Sequence, residues 1–297
     1  MLQVLVKAFR LKAASLFILV YFVSAFVKAS FSGRGYTEPF FSFVLFFCGF
    51  GGLIYLVTAK VQRNFISIRA PRQEAASVVL YFLGWLALYM ILWRSVFSNA
   101  YLSNILGFWG LLVVVPFAYL RKTGYRPEDL GLTRKGLGSQ VTVAVLAALI
   151  IGAVLVVLTP GGRYITSGAL SAPGLFQALL AGFGLALLLA GFFEEFFFRA
   201  VLQTRLSAYF GSHFTGIVTA SLLFSLYHLP FQFFGSGPAA GNFSYALANV
   251  FSEALVTAPI LGILWARTQN LVAPVLVHSL IDAINGVPRM AAMFNLQ

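Results

Sequence analysis

Two adjacent glutamates and an arginine stand at the end of a long apolar run, where ionised side chains are costly. The segment Glu194-Glu195-Phe-Phe-Phe-Arg199 follows residues 174–193, which carry no charge. A carboxylate that faces lipid costs roughly 3 kcal/mol, so such groups usually face a protein interior or a water-filled cavity and serve a function. Because residues four apart share a helix face, we expect Glu195 to pair with Arg199 and Glu194 to point elsewhere. The spacing predicts a structural ion pair beside a tunable Glu194 carboxylate; a purely structural network of all three is the alternative.

A histidine closes a second apolar segment, in the sequence FSLYHLP. Pro230 disfavours helix at the residue before it, so the helix is expected to end near His228. Phe224 lies one turn earlier on the same face. A single histidine at a helix end is commonly a satisfied polar residue, so His228 becomes a catalytic candidate only together with other groups.

A third apolar segment carries an imidazole, a carboxylate and an amide on one face. His278, Asp282 and Asn285 are spaced four and three residues apart, which aligns them along a helix. At 1.5 Å per residue, Glu194, His228 and this stripe fall at similar depths within their segments. The sequence is therefore compatible with one site that is built from three helices.

Hydrolysis is the chemistry that such a cluster suits. A glutamate can accept a proton from water. Histidines and a carboxylate can hold zinc with one position left open for water, whereas a protonated histidine with another donor can stabilise an oxyanion without metal. The HExxH pattern of the common zinc-protease helix does not occur in the sequence.

The composition is that of a membrane protein. The chain of 297 residues is 60% hydrophobic and 9% charged, with a mean hydropathy of +0.90. A spanning helix needs about 20 apolar residues, and long continuous runs favour helices over a barrel. We predict an all-α, polytopic integral membrane bundle of eight to nine transmembrane helices. The candidate runs are 13–31, 39–59, 76–93, 101–120, 140–159, 175–206, 214–228, 243–266 and 272–288.

The net charge of +12 is explained by the placement of the basic residues. With a cytoplasmic N-terminus, fourteen of the twenty Lys and Arg residues fall in inside segments and five fall outside. This is the positive-inside pattern. The basic residues therefore indicate topology and contact with lipid headgroups, and nucleic acid is not expected as a partner.

Acidic residues divide the chain into two parts. Residues 1–135 are expected to hold N-terminal transmembrane helices whose acids lie in loops, and the charged stretch 121–135 forms the joint. Residues 136–297 are expected to form the catalytic transmembrane core. That part holds all four acids that lie inside spans, and Glu253 among them is interpreted as a structural acid.

Three motifs in order on three membrane helices resemble those of a known family. The pattern resembles the CPBP (CAAX protease and bacteriocin-processing) family of intramembrane proteases, which includes the Ras-converting CAAX endopeptidase and bacterial Abi-type proteins. The resemblance covers roughly residues 136–288. Its motifs are EExxxR at Glu194, Glu195 and Arg199, FxxxH at Phe224 and His228, and HxxxD at His278 and Asp282.

The resemblance implies a role for each motif. Glu194 and His228 would activate water, and Glu195 with Arg199 would hold the first motif together. His278 and Asp282 would bind a metal or stabilise the tetrahedral intermediate. The family's last motif often ends in Asn; an ionised Asp cannot donate to an oxyanion, which favours a ligand or histidine-orienting role, a protonated Asp282, or an amide supplied by Asn285. The metal ligands implied for zinc are Glu194, His228, His278 and Asp282.

We therefore predict an intramembrane endopeptidase that cleaves a membrane-associated protein or peptide, in the cytoplasmic membrane of a bacterium. A non-catalytic immunity or scaffold protein is one alternative. A proton-coupled transporter is the other, because buried acids and histidines also mark ion pathways. The sequence shows no repeat and no paired broken helices, which counts against a transporter.

Overall fold

The computed structural model describes residues 2–33, 43–59, 66–99 and 102–296. Within these ranges all regular structure is helical, which confirms the predicted all-α bundle. Several helices contain wider π-helical segments that continue the same rod, and each continuous rod carries one label. The helices are α1 (Leu2–Ser32), α2 (Val44–Phe50 and Gly51–Val57), α3 (Pro71–Leu92 and Trp93–Phe97), α4 (Ser103–Val114 and Val115–Lys122), α5 (Leu137–Leu158), α6 (Pro160–Thr166), α7 (Ala172–Ala186, Leu187–Gly191, Phe192–Glu195, Phe196–Gln203 and Thr204–Phe210), α8 (His213–Tyr227), α9 (Leu229–Phe234), α10 (Phe243–Thr268) and α11 (Val272–Phe294).

Seven helical segments among the described residues are long and apolar enough to cross a membrane. They comprise α1, α3, α4, α5, α7, α8 together with α9, and α10, so the chain is a multi-pass membrane protein. The predicted run 39–59 lies partly outside the described residues. The predicted run 272–288 falls in α11, a 23-residue helix whose polar residues leave it outside those seven.

Glycines bring α11 close to α7. A Cβ at Gly182 would stand 3.4 Å from the Ala283 Cα, and one at Gly191 would stand 3.3 Å from the Val275 carbonyl oxygen. Small residues at such spacing let helix backbones approach within a membrane. The lack of a side chain at Gly182 and Gly191 therefore allows the close approach of α11 to α7.

One buried cluster joins helices from both predicted parts of the chain. Trp85 of α3 and Phe108 of α4 belong to the same cluster as Phe193 of α7 and Tyr227 of α8. Phe108 stacks on Phe193 with ring centroids 4.9 Å apart, and Trp85 stacks on Tyr227 at 5.3 Å. The division at residue 135 stays a prediction, and the core is continuous across it.

A polar cluster ties the ends of α3 and α7 to the loop after α4. Arg205 is 1% exposed and its Nε lies 3.1 Å from the Glu74 Oε2. The Tyr125 hydroxyl donates to the same carboxylate, 2.6 Å from Oε1. Burial, and then the hydrogen bond to Glu74, raise the pKa of Tyr125. These contacts fix the end of α7 against the N-terminal helices.

Candidate active site

The two glutamates occupy a single α-helical turn of α7 between two π-helical segments. Phe192–Glu195 is flanked by Leu187–Gly191 and Phe196–Gln203. Such wide turns change which side chains share a face and often occur at functional sites. Glu194 is 5% exposed and Glu195 is fully buried, so both carboxylates face the interior of the bundle.

Glu195 uses its two oxygens for two different partners. The Arg199 Nε donates to Oε2 at 2.9 Å, which confirms the ion pair predicted from the spacing. The His278 Nδ1 donates to Oε1 at 2.8 Å, a contact between α7 and α11 that the sequence did not predict. This second bond orients the imidazole, so that its Nε2 is turned away from Glu195.

The His278 Nε2 faces two other carboxylates. It lies 3.7 Å from the Glu194 Oε2 and 3.6 Å from the Asp282 Oδ2. Within the described residues, the Glu194 Oε2 is buried and has no hydrogen-bond partner. A buried carboxylate oxygen without a donor is costly, and here it faces the imidazole of His278. The structure therefore brings Glu194, His278 and Asp282 together and leaves the Glu194 Oε2 available as a proton acceptor.

His228 lies at the break between α8 and α9, as the proline predicted. It caps the C-terminus of α8, and Pro230 lies in the first turn of α9. Its Nδ1 is 2.9 Å from the Phe224 carbonyl oxygen, so that nitrogen carries the hydrogen and Nε2 is left as an acceptor. The side chain is half-buried and interacts electrostatically with His278. His228 thus belongs to the same site but makes a looser contact with it.

Phe224 holds three site residues in place. Its ring centroid lies 4.9 Å from that of His228 and 6.1 Å from that of His278. The Arg199 guanidinium carbon lies 4.9 Å from the same centroid, over the ring. A cation over a desolvated ring is stabilised by about 2 kcal/mol. The phenylalanine of the second motif therefore packs between the charged groups of the first and third.

Tyr227 also reaches the site, and sequence reasoning missed it. The residue is 2% exposed, and its ring meets that of His228 edge to face with centroids 4.9 Å apart. A tyrosine in a chain with 12 tyrosines and 32 phenylalanines carries no distinguishing signal. Only its position beside His228 could have suggested a role.

Two polar residues considered from sequence lie away from the cluster. Asn285 is exposed, and no hydrogen bond within the described residues joins it to the site. Glu253 forms an ion pair with Lys28 of α1, and its side chain is 56% exposed. This supports the interpretation of Glu253 as a structural acid.

The predicted zinc ligands are not arranged as a metal site. The described residues contain no group of three or more His, Cys, Asp or Glu side chains that could hold a metal ion. The Nδ1 atoms of His228 and His278 are both occupied by hydrogen bonds, so only their Nε2 atoms remain as donors to a metal. Zinc needs four ligand atoms at about 2.0–2.3 Å. The donor set does not fit this geometry, and zinc stays a prediction.

A cavity of about 220 Å³ lies away from these residues. It is lined by Gln203 and Ser207 at the end of α7 and by Trp265 at the end of α10. Gln203 is nine residues beyond Glu194, which corresponds to about 13 Å along a helix. The cavity is therefore separate from the cluster of glutamates and histidines.

The comparisons with known proteins agree with the motifs. Residues 175–284 match the family model described as Rce1-like, type II CAAX prenyl endopeptidase. All six predicted site residues lie within the matched segment, on α7, α11 and the break after α8. No curated protein and no solved structure matches the chain. The match supports peptide-bond hydrolysis as the class of activity.

Proposed function

We propose that the protein is an intramembrane endopeptidase acting on a membrane-associated protein or peptide, because the match of residues 175–284 to the Rce1-like model supports assignment to the CPBP/CAAX protease family. One observation carries the proposed chemistry. The Glu194 Oε2 is buried without a hydrogen-bond partner among the described residues and faces the His278 Nε2 at 3.7 Å. This is a proton acceptor beside a proton donor in a site that excludes bulk water.

Glu194 acts as the general base. It accepts a proton from a water molecule while the water oxygen forms a bond to the scissile carbonyl carbon. The carbonyl oxygen then carries the negative charge of the tetrahedral intermediate. When the intermediate collapses, the carbon–nitrogen bond breaks and the proton held by Glu194 passes to the leaving amine. The same carboxylate thus serves as base and then as acid.

His278 supplies the donor for the developing oxyanion. With Nδ1–H donated to Glu195, the protonated ring presents Nε2–H on the side of Glu194 and Asp282. Preorganised donors at the position where charge develops are commonly the largest electrostatic contribution to catalysis. Glu195 therefore acts on the reaction through His278, and Arg199 balances the charge of Glu195 inside the bundle.

His228 and Asp282 border the accessible side of the site. His228 is half-buried and the Asp282 side chain is 40% exposed, whereas Glu194 and Glu195 are buried. The Nε2 of His228 can accept a hydrogen bond from the second hydrogen of the attacking water and orient it, in line with the family resemblance. The Asp282 Oδ2 lies 3.6 Å from the His278 Nε2, and its negative charge attracts the protonated ring. Substrate therefore enters from the side of α8, α9 and α11.

A cleavage assay with matched variants tests this function. The full chain is purified in detergent, reconstituted in liposomes and given a quenched fluorescent peptide with a membrane-spanning apolar segment. Glu194→Gln keeps the shape of the side chain and removes the base, so turnover should fall by about 10²- to 10⁴-fold. Glu253→Gln, which changes an exposed carboxylate in another helix, should leave turnover unchanged.

Other outcomes favour other functions. Equal turnover by Glu194→Gln and the wild type would overturn the assignment of the base. If the wild type cleaves no membrane peptide in a broad panel, the result favours a non-catalytic scaffold protein. Proton flux across the liposome membrane that depends on Glu194 would favour a transporter.

Removal of metal is a separate test. The mechanism above uses no metal, so we expect turnover to persist after dialysis against a strong chelator. Zinc content of the purified protein is measured in parallel by elemental analysis. If turnover is lost on chelation and restored by added zinc, the zinc predicted from the sequence is confirmed. Glu194 and His278 would then not be the only groups that activate the reaction.

A further inference from the structure

We propose that Thr204 is a positioning residue, whose hydroxyl links Trp265 of α10 to the Arg199 carbonyl oxygen and holds the wide turn of α7 that aims Arg199 at Glu195. This role rests on the proposed function, because Thr204 acts on the reaction only through the residues assigned there. Thr204 and Trp265 both lie outside the three motifs by which the site was found.

The Thr204 hydroxyl takes part in two hydrogen bonds whose directions are fixed. The Trp265 Nε1 lies 2.9 Å from the hydroxyl oxygen, and an indole nitrogen can only donate, so the hydroxyl accepts this bond. Its own hydrogen is then donated to the Arg199 carbonyl oxygen, which also lies 2.9 Å away. All three residues are buried, so the loss of the hydroxyl would leave an indole N–H without an acceptor inside the bundle.

The bond to Arg199 spans five residues, which marks a wide helical turn. In a regular α-helix a threonine hydroxyl bonds the carbonyl oxygen three or four residues earlier. Thr159 and Thr268 do so here with carbonyl oxygens four residues earlier. Thr204 instead reaches back across the last turn of the π-helical segment Phe196–Gln203. Its side chain therefore supports the π-helical spacing at the point where α-helix resumes.

Trp265 is a fixed anchor for this link. Its side chain is 1% exposed, and a Cβ at Gly131 would stand 2.6 Å from its ring. Near it on α10, the Gly262 carbonyl oxygen accepts a hydrogen bond from the Gln203 Nε2 at 2.8 Å. Two neighbouring hydrogen bonds therefore tie the end of the π-helical segment to α10.

Empty space beside the link gives α7 room to shift. Thr204 and Trp265 both line the cavity at the ends of α7 and α10. If the link is lost, the wide turn can relax to α-helical spacing, which moves one part of α7 by one residue, about 1.5 Å along and about 100° around its axis. Arg199 would then turn away from the Glu195 Oε2 and from the ring of Phe224.

Glu195 carries this displacement to the reacting groups. Its other oxygen accepts from the His278 Nδ1 at 2.8 Å, so a carboxylate that follows Arg199 also moves the imidazole. A misplacement of about 1 Å at a catalytic group can cost about a hundredfold in rate. The link from Trp265 through Thr204 is therefore expected to affect kcat.

The test compares Thr204→Val with Thr204→Ser in the full chain. Valine keeps the shape and removes the hydroxyl, whereas serine keeps the hydroxyl. Turnover number and KM are measured with the quenched membrane peptide, and thermal unfolding is followed in the same detergent. We expect Thr204→Val to lower kcat about tenfold to a hundredfold with KM within about twofold of the wild type. Thr204→Ser should keep kcat within about threefold of the wild type.

Two further variants keep the result interpretable. Trp265→Phe removes the indole donor from the other side of the link and should lower kcat by at least about threefold. Thr268→Val is the matched control, because Thr268 is buried on α10 and its hydroxyl donates to the Leu264 carbonyl oxygen of the same helix. It should lower the unfolding temperature about as much as Thr204→Val does and keep kcat within about twofold of the wild type.

A double-mutant cycle tests whether Arg199 carries the effect. Arg199→Lys keeps the charge and loses the rigid fork of the guanidinium, so kcat should fall. If Thr204 acts by aiming Arg199, adding Thr204→Val to Arg199→Lys should lower kcat by less than about twofold more.

The outcomes separate this inference from the proposed function. Wild-type kcat in Thr204→Val and Trp265→Phe would overturn the role of Thr204 and leave the peptidase intact. Equal losses of kcat in Thr204→Val, Thr204→Ser and Thr268→Val would also overturn it, because that result indicates packing alone. So would losses that multiply in the cycle with Arg199→Lys. A wild-type protein that cleaves no peptide would overturn the proposed function, and the positioning role would fall with it.

Discussion

At the scale of single residues, Glu195 decides the geometry of the site. A buried carboxylate is tolerated when its charge is balanced and its oxygens accept hydrogen bonds. Arg199 supplies the charge from the same helix, and His278 supplies the second donor from another helix. Because one carboxylate satisfies both conditions, Glu195 accepts the charge of Arg199 and orients the imidazole at the same time.

Glu195→Gln tests this double role. The amide can accept from only one of the two partners, and Arg199 loses its counter-charge inside the bundle. We expect a loss of about 3 kcal/mol or more in stability and a fall of at least tenfold in kcat. Thermal unfolding and peptide cleavage measure the two effects. Glu253→Gln is the control, since breaking the exposed pair with Lys28 should change stability by less than about 1 kcal/mol. Unchanged kcat in Glu195→Gln would contradict the orienting role.

Asp282 offers a second test at this scale. If Asp282 acts through a side-chain oxygen that orients the His278 ring, the oxygen of an amide can replace it, and Asp282→Asn should keep kcat within about tenfold of the wild type. Asp282→Ala removes the acceptor and should lower kcat further, whereas the exposed Asn285→Ala should have no effect. Cleavage rates of the three variants decide the question. A large loss in Asn285→Ala would show instead that Asn285 supplies the amide.

Sequence spacing predicted the contacts within a helix and missed those between helices. The pair Glu195–Arg199 follows from a separation of four residues, which fixes a common face. The bond between Glu195 and His278 depends on the rotation and depth of α11 against α7, and close packing at Gly191 sets these. The stacking of Tyr227 on Trp85 depends in the same way on how α8 packs against α3. The periodicity of a single sequence does not contain the rotation and depth of one helix against another.

At the scale of helices, close contacts between backbones hold the segments that carry the candidate site residues in register. The existence and type of the helices followed from apolar length, but the π-helical segments around Phe192–Glu195 did not, because they depend on local packing. The approach of α8 to the end of α7 is tight at Gly216, where a Cβ would stand 2.7 Å from the Ser207 Cα. Since α8 carries His228 and Tyr227 at its far end, this contact positions both.

Gly216→Ala should therefore destabilise the protein and disturb the site. The added methyl group meets backbone atoms of α7, which cannot move aside as a flexible side chain could. We expect a cost of about 1–3 kcal/mol, seen as a lower unfolding temperature and slower peptide cleavage. Gly184→Ala is the matched control in a neighbouring helix, because nothing lies within 4 Å of its Cβ position. Equal unfolding temperatures for the two variants would show that the close approach of α8 to α7 at Gly216 does not make the added methyl group destabilising.

At the scale of the whole molecule, the aromatic core makes the N-terminal helices part of the site. Trp85 and Phe108 pack directly on Tyr227 and Phe193, which are the sequence neighbours of the candidate site residues His228 and Glu194. The two-part division was drawn from the distribution of acids, and charge alone does not reveal where apolar surfaces meet. Residues 136–297 without α3 and α4 would expose this aromatic surface.

Orientation in the membrane decides which side admits substrate. The bias of Lys and Arg predicts that the loop after α4 is cytoplasmic and that the loop between α9 and α10 is outside. Lys135 and Ser236 are exposed in these two loops, and Cys48 is the single native cysteine. In a Cys48→Ser background, an impermeant maleimide should label Ser236→Cys in intact cells and Lys135→Cys only after permeabilisation.

This orientation places the accessible side of the site in the outer half of the bilayer. His228 follows the inner end of α8 by fifteen residues, or about 22 Å at 1.5 Å per residue. Substrate would then reach Glu194 from the outer leaflet, past His228 and Asp282. The reverse labelling pattern would move access to the inner half while leaving the geometry of the glutamates and histidines unchanged. The labelling result therefore determines on which leaflet a peptide substrate must be presented in the cleavage assay.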